Sequence, residues 1–155
     1  MRDDATAIWF GMEWLSGGGS RRIGRCQVRC MSLQQSEYLE VRRIPGKGRG
    51  VFARILIPKG TIFETVPMLV CKQDDLIESS LLDYVYAWGK GTVGVALGYG
   101  SMYNHSYKPN ARYFDLPVQR KEFIALRDIK PGEEVTINYN GEPKDQKPVW
   151  FDVKE

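Results

Sequence analysis

Histidine and cysteine are nearly absent from this chain: among 155 residues, His105 is the single histidine and there are three cysteines. Two of those, Cys26 and Cys30, lie in a glycine-rich leader, so no disulfide framework is expected and a reducing, intracellular, cytoplasmic setting is. A structural zinc would need Cys26, Cys30, Cys71 and His105 to converge, and no Cys-x-x-Cys pair favours that. We expect no metal. No apolar run approaches the roughly 18–20 residues that cross a bilayer, which excludes a membrane helix. The stretch Ala7–Leu15 is short and is followed by glycines and arginines, unlike a secretory signal. Charge of one sign is scarce too. Lys and Arg number 22 against 19 Asp and Glu, and five Arg against three acids in the first 36 residues account for +2 of the net +3. The remainder is close to neutral, so direct nucleic-acid binding is not expected.

What is present is 43% hydrophobic and 26% charged residue, enough for one domain with a core and too little chain for two. Gly17-Gly18-Gly19-Ser20 followed by Arg21-Arg22 has linker composition. Residues 1–35 are therefore expected to be a flexible extension, with Trp9, Phe10 and Trp14 as a docking motif the alternative and Met31 a candidate start. A domain is expected over 36–142, and 143–155 is a tail with an aromatic anchor. Within the domain, apolar and polar residues alternate between turn signals, the pattern of small twisted sheets. Strands are predicted at Tyr38–Arg43, Val51–Ile57, Thr61–Val70, Arg120–Leu126 and Glu134–Tyr139, and one helical turn at Asp74–Ser80. A weak internal repeat accompanies them. Ala53–Gly60 (ARILIPKG) echoes Ala125–Gly132 (ALRDIKPG), which suggests two related hairpins folded against each other.

Three stretches carry candidate chemistry. Gly46-Lys47-Gly48-Arg49-Gly50 alternates glycine with bases and reads equally as a turn or as a loop that lets backbone approach a ligand. It is no dinucleotide fingerprint, because Pro58-Lys59-Gly60 arrives too soon for a helix to follow. Asn104-His105-Ser106-Tyr107-Lys108-Pro109-Asn110 is a polar loop holding the one histidine; spacing nominates neither nucleophile nor acid for it, so a structural histidine outweighs a triad base. In Glu133–Gly141, period two sets Val135, Ile137 and Tyr139 on one strand face, where Tyr139 alone reads as a core residue with its hydroxyl at the edge.

In combination and in this order, GKGRGVFA, NHSYKPN and GEEVTINY resemble the SET-domain lysine methyltransferases, over roughly Glu37 to Gly141. The likeness is to the short stand-alone SET proteins of bacteria and large viruses, and its most specific part is the NHSxxPN element. The resemblance implies a mainly β fold of several small sheets, the β-clip, with a C-terminal pseudoknot, and S-adenosylmethionine as methyl donor. It implies that backbone groups of Lys47, Gly48 and Arg49, together with Asn104 and His105, contact that cofactor. Tyr139 would border the methyl-transfer channel, with Tyr84 as a second channel tyrosine and Tyr86 the alternative. The partner would be a protein or peptide bearing a lysine.

A lysine amine is unprotonated in only about one molecule in 2,500 at pH 7, a cost of roughly 4.6 kcal/mol. A narrow apolar channel ending at a sulfonium cation disfavours the ammonium by desolvation and like charge. Such a site needs aromatic walls and oxygen acceptors, no metal, and no obligatory base. Two features depart from the family. A cysteine-rich zinc tail is common there, yet no Cys follows Cys71; Trp150 and Phe151 are expected either to cover the cofactor or to anchor the terminus. Ile137 stands where Phe or Tyr often helps set the number of methyl groups, which leaves that number open. Two readings compete with the enzyme: a non-catalytic β-clip interaction module, and methylation of an amine other than lysine.

Overall fold

The computed structural model describes residues 35–76 and 79–154. The leader, with Trp9, Phe10 and Trp14, lies outside them. In chain order the strands are β1 (Leu39–Ile44), β2 (Gly48–Ala53), β3 (Ile62–Lys72), β4 (Val85–Gly89), β5 (Thr92–Ala96), β6 (Asn104–His105), β7 (Ala111–Leu116), β8 (Arg120–Ala125) and β9 (Thr136–Ile137). They form three sheets: β1 with β2, an antiparallel five-stranded sheet in the order β4-β5-β3-β8-β7, and a short parallel pair of β6 with β9. Directly opposed residues share a face, so the register sets Tyr86, Met68, Val66, Phe123, Lys121 and Tyr113 on one side of the large sheet. Phe123, Val66 and Met68 are buried there in the core.

The repeat noticed in the sequence is a structural one. Ile57 and Ile129, both fully buried, exchange reciprocal backbone hydrogen bonds of 2.9 Å. Gly60 N–H donates to the Ala125 carbonyl and Gly132 N–H to the Ala53 carbonyl, the equivalent bond in each copy. Both glycines have φ near +80° (82° and 80°), the left-handed region that follows each Pro/Gly turn. Two copies of one turn therefore lock against each other, as their likeness suggested.

Several boundaries depart from expectation. The strand predicted over Val51–Ile57 starts at Gly48 and ends at Ala53, because the next residues leave the ladder to bring Ile57 onto Ile129. Glu134–Tyr139 holds only a two-residue ladder; the segment lies between β2 and β6, with Val135 N–H on the Val51 carbonyl and Ser106 N–H on that of Ile137. That crossing is what a pseudoknot requires. In place of one helical turn over Asp74–Ser80 there are two 3-10 turns, Gln73–Leu76 and Ser80–Tyr84, the second capped by the Ser79 hydroxyl, which accepts from Leu81 N–H. Strands β4, β5, β6 and β7 fall outside the predicted ones, β6 in the segment read as a polar loop. β4 and β5 are short and glycine-bearing, so alternation is weak, and they gain their place from pairing onto β3.

Candidate active site

The loop between β1 and β2 needs glycine for two different reasons. Gly46 and Gly48 have φ of 77° and 89°, and Lys47 N–H closes the turn on the Ile44 carbonyl. A Cβ on Gly48 would meet nothing within 4 Å, so its backbone faces open space. Gly50 is instead crowded: a Cβ there would lie 2.5 Å from Ile44 Cδ1, 2.7 Å from Glu134 Oε1 and 3.0 Å from Asn104 Nδ2. The Asn104 amide donates to the Arg49 carbonyl (3.0 Å) and to Glu134 Oε1 (2.7 Å), and Glu134 is also 3.7 Å from Lys47 Nζ. The glycine loop, β6 and the C-terminal segment are thereby tied at one point.

Beside it, His105 is buried, and its Nδ1 accepts the Tyr139 backbone N–H at 3.0 Å. An accepting Nδ1 in neutral imidazole leaves the ring proton on Nε2. Tyr139 hydroxyl donates to the Tyr103 carbonyl at 2.8 Å. Burial, with Glu134 and Tyr84 adding to it, pushes the Tyr139 phenol up to about 12, so it stays neutral at physiological pH. Downstream, Asn110 is buried and bridges the same segment: Nδ2 donates to the Glu134 carbonyl (2.7 Å) and Oδ1 accepts from Thr136 N–H (2.9 Å).

Three cavities meet at Tyr139. The first, 320 Å³, is walled by tyrosines 84, 86, 103, 113 and 139 together with Trp150. The second, 670 Å³, runs over Lys47, Gly48, Arg49 and Asn104 and shares Tyr84, Tyr103 and Tyr139 with the first. The third, 170 Å³, lies between Gly46, Lys47, Asn104, His105 and Phe151. One side of Tyr139 is thus an aromatic slot and the other a cleft lined by bare backbone and polar groups. Lys47 and Asn104 line both the second and the third cavity, Gly48 and Arg49 only the second, and His105 only the third.

Tyr84 and Tyr86 both reach the aromatic slot. Tyr84 is partly exposed with its hydroxyl 3.5 Å from the Arg49 guanidinium, whereas the Tyr86 hydroxyl donates to the Gly100 carbonyl. The C-terminal aromatics divide between the two sides. Trp150 stacks on Tyr139 at 6.0 Å and 26° and walls the slot, while Phe151 meets His105 edge-on and closes the cleft. The tail is held in place by Val149 N–H on the Tyr107 hydroxyl and Lys154 Nζ on the Gly46 carbonyl. Among the described residues, no cluster of three or more His, Cys, Asp or Glu could hold a metal.

A family model described as SET domain matches residues 48–140, more than half of the chain. The chain belongs to the SET-domain family. A Schizosaccharomyces pombe histone-lysine N-methyltransferase, H3 lysine-37 specific, is 36% identical over 121 residues, covering 74% of this chain and 77% of the relative. Another from that organism, histone-lysine N-methyltransferase set5, is 29% identical over 140 residues, covering 70% of this chain and 44% of the relative. Among solved structures, a Plasmodium falciparum protein assigned as a histone methyltransferase superposes with a TM-score of 0.57 at 29% identity, covering 68% of this chain and 94% of that one. SET-domain methyltransferases generally use S-adenosylmethionine.

Sequence reasoning about this SET domain missed three participants. Tyr113 walls the slot, and its phenol is pushed up to about 12, chiefly by burial. Tyr103 supplies the carbonyl for Tyr139, and Glu134 joins Lys47 to Asn104. Tyr113 carries the one signal available, an aromatic three residues beyond Asn110 in an alternating run.

Proposed function

We propose that this SET-domain chain is a protein-lysine N-methyltransferase that takes its methyl group from S-adenosylmethionine. The observation that carries the reading is the position of Tyr139 between an aromatic slot and a glycine-lined cleft. The cleft suits the cofactor on this structure's own terms: the backbone at Gly48 stands open where a side chain would intrude, and cationic and amide groups line it. Lys47, Gly48, Arg49, Asn104, His105 and Phe151 would hold it, with Trp150 shielding it from the slot side. The bound cofactor supplies an electrophilic methyl group on a sulfonium.

The residues of the slot prepare the other reactant. Five tyrosines and a tryptophan strip water from an entering lysine, which disfavours the ammonium and favours the neutral amine. Tyr139, which lines the slot, has committed its proton to the Tyr103 carbonyl, so the lone pairs left on its oxygen can accept from the amine N–H. That bond aligns the nitrogen lone pair for in-line attack. A phenol held near 12 is no general base, so the amine loses its proton to solvent before it docks. An interaction module alone would not need this polar cleft joined to an aromatic slot.

The test is transfer of a labelled methyl group from S-adenosylmethionine to recombinant core histones by metal-free protein, with cofactor binding followed by calorimetry. Label in histone lysine, and heat that weakens in Asn104→Ala, are the expected results. Absence of heat at millimolar cofactor overturns the reading, and label on a residue other than lysine replaces the substrate class.

A further inference from the structure

Lys121 is the second residue of β8 and has no exposed surface, a rare place for an ammonium. The register sets it opposite Val66 of β3 and Asp115 of β7. Its Nζ is 4.3 Å from the ring centre of Tyr113, 4.4 Å from that of Tyr86 and 5.4 Å from that of Trp88, and it pairs with Asp115. Three aromatic faces and one carboxylate thus replace its water. Tyr86 and Tyr113 also touch each other, nearly perpendicular at 5.1 Å. Both wall the aromatic slot, which Lys121 does not reach. The same two rings therefore both contact the Lys121 ammonium and wall the slot.

Resting on the methyltransferase reading, we propose that Lys121 is a positioning residue for the reaction, its ammonium pinning the Tyr86 and Tyr113 rings and making the slot selective for the neutral lysine amine. The physical reason is twofold. A ring whose π face already holds a cation is a poorer host for a second one, and the positive potential behind the wall opposes an entering ammonium. The neutral amine meets neither penalty. Other charged or titratable groups facing this site are Asp115 and Tyr113 on β7, Tyr86 on β4, and Glu64 on the same face of β3. Burial lowers the Lys121 pKa and Asp115 opposes that shift.

Lys121→Met keeps the length of the side chain and removes the charge. The pH profile of methyl transfer to core histones is expected to move up by about one unit, equivalent to about 10-fold less neutral amine at a given pH below it. A merely structural lysine would change the melting temperature and leave that profile parental, and a parental profile overturns the proposal. Should Lys121→Met fail to fold, Asp115→Asn decides. It leaves the cage filled but removes the counter-charge, so its turnover relative to the parent should fall as pH rises through the alkaline range; a constant ratio overturns the proposal. The cage is read independently of activity with 13C-labelled lysine. One ε-methylene signal should lie upfield of the rest and vanish in Lys121→Met; its absence overturns the proposal. A parent that transfers no methyl group defeats the methyltransferase reading instead, and leaves the NMR result to judge the cage.

Discussion

Tyr139 joins three roles in one residue: its N–H fixes His105, its hydroxyl meets the Tyr103 carbonyl, and its ring is covered by Trp150. Tyr139→Phe removes a single oxygen and keeps the ring, so stability should fall by only about 1 kcal/mol, the worth of one hydrogen bond. Turnover should fall by about 10²-fold or more, because the acceptor that orients the amine is gone. Steady-state methylation set beside urea denaturation of both proteins checks this; near-parental turnover returns Tyr139 to the core. The paired C-terminal aromatics make a second prediction. Phe151→Ala should weaken cofactor binding in calorimetry, since Phe151 closes the cleft, while Trp150→Ala should chiefly raise KM for a lysine substrate, since its ring walls the slot. Equal effects of both on cofactor affinity would mean that they form one lid.

Two elements hold the site together, the glycine loop and the β9 segment, and each has a residue whose removal should be felt in a distinct way. Gly50→Ala puts a methyl group against Ile44, the Glu134 carboxylate and the Asn104 amide. Some of these side chains must move, so the expected result is weaker cofactor binding with the fold retained, read by calorimetry and circular dichroism. Asn110→Ala leaves the part-buried carbonyl of Glu134 and N–H of Thr136 without their partner. At about 1–3 kcal/mol for each unsatisfied group, destabilisation should reach about 2–6 kcal/mol in denaturant titration. The NHSxxPN element is thus a fastener as well as part of the cleft.

Across the whole molecule, Glu64 links stability to pH. Its carboxyl sits in the core, accepting from Tyr99 N–H (2.8 Å) and Tyr103 hydroxyl (2.6 Å), and burial raises it from 4.5 to about 7 against those bonds. Its folded pKa is higher than its unfolded one, so the native state keeps a proton that the unfolded chain gives up. Stability should therefore be fully present below about pH 4.5 as far as this group is concerned, and decline by about 3 kcal/mol as pH rises through 7. Urea midpoints at pH 5, 6.5 and 8 would follow that slope. Glu64→Gln should flatten it and exceed the parent in stability at pH 8; an unchanged slope would assign the pH dependence to another group.

Local pattern was sufficient for what depends on neighbours in the chain. Alternation marked β1, β3 and β8, the Pro/Gly turns marked the repeat, and three motifs in order marked the SET domain and the cleft residues Lys47, Gly48, Arg49, Asn104 and His105. Only tertiary structure decided what depends on residues far apart. β4, β5 and β7 carry weak patterns and become strands by pairing across the large sheet. Tyr113 and Tyr86 stand on β7 and β4, at opposite edges of that sheet, yet their rings meet at 5.1 Å and wall the slot with Tyr139. Trp150 and Phe151 part to the two sides of Tyr139 through the hydrogen bonds that seat the tail. Lys121, which in the sequence is one charge in an alternating strand, is buried because Tyr86 and Trp88 from β4 converge on it with Tyr113 and Asp115 of the neighbouring strand. Periodicity records which face a residue takes; which partners wait on that face is decided by chain crossings that no local pattern encodes.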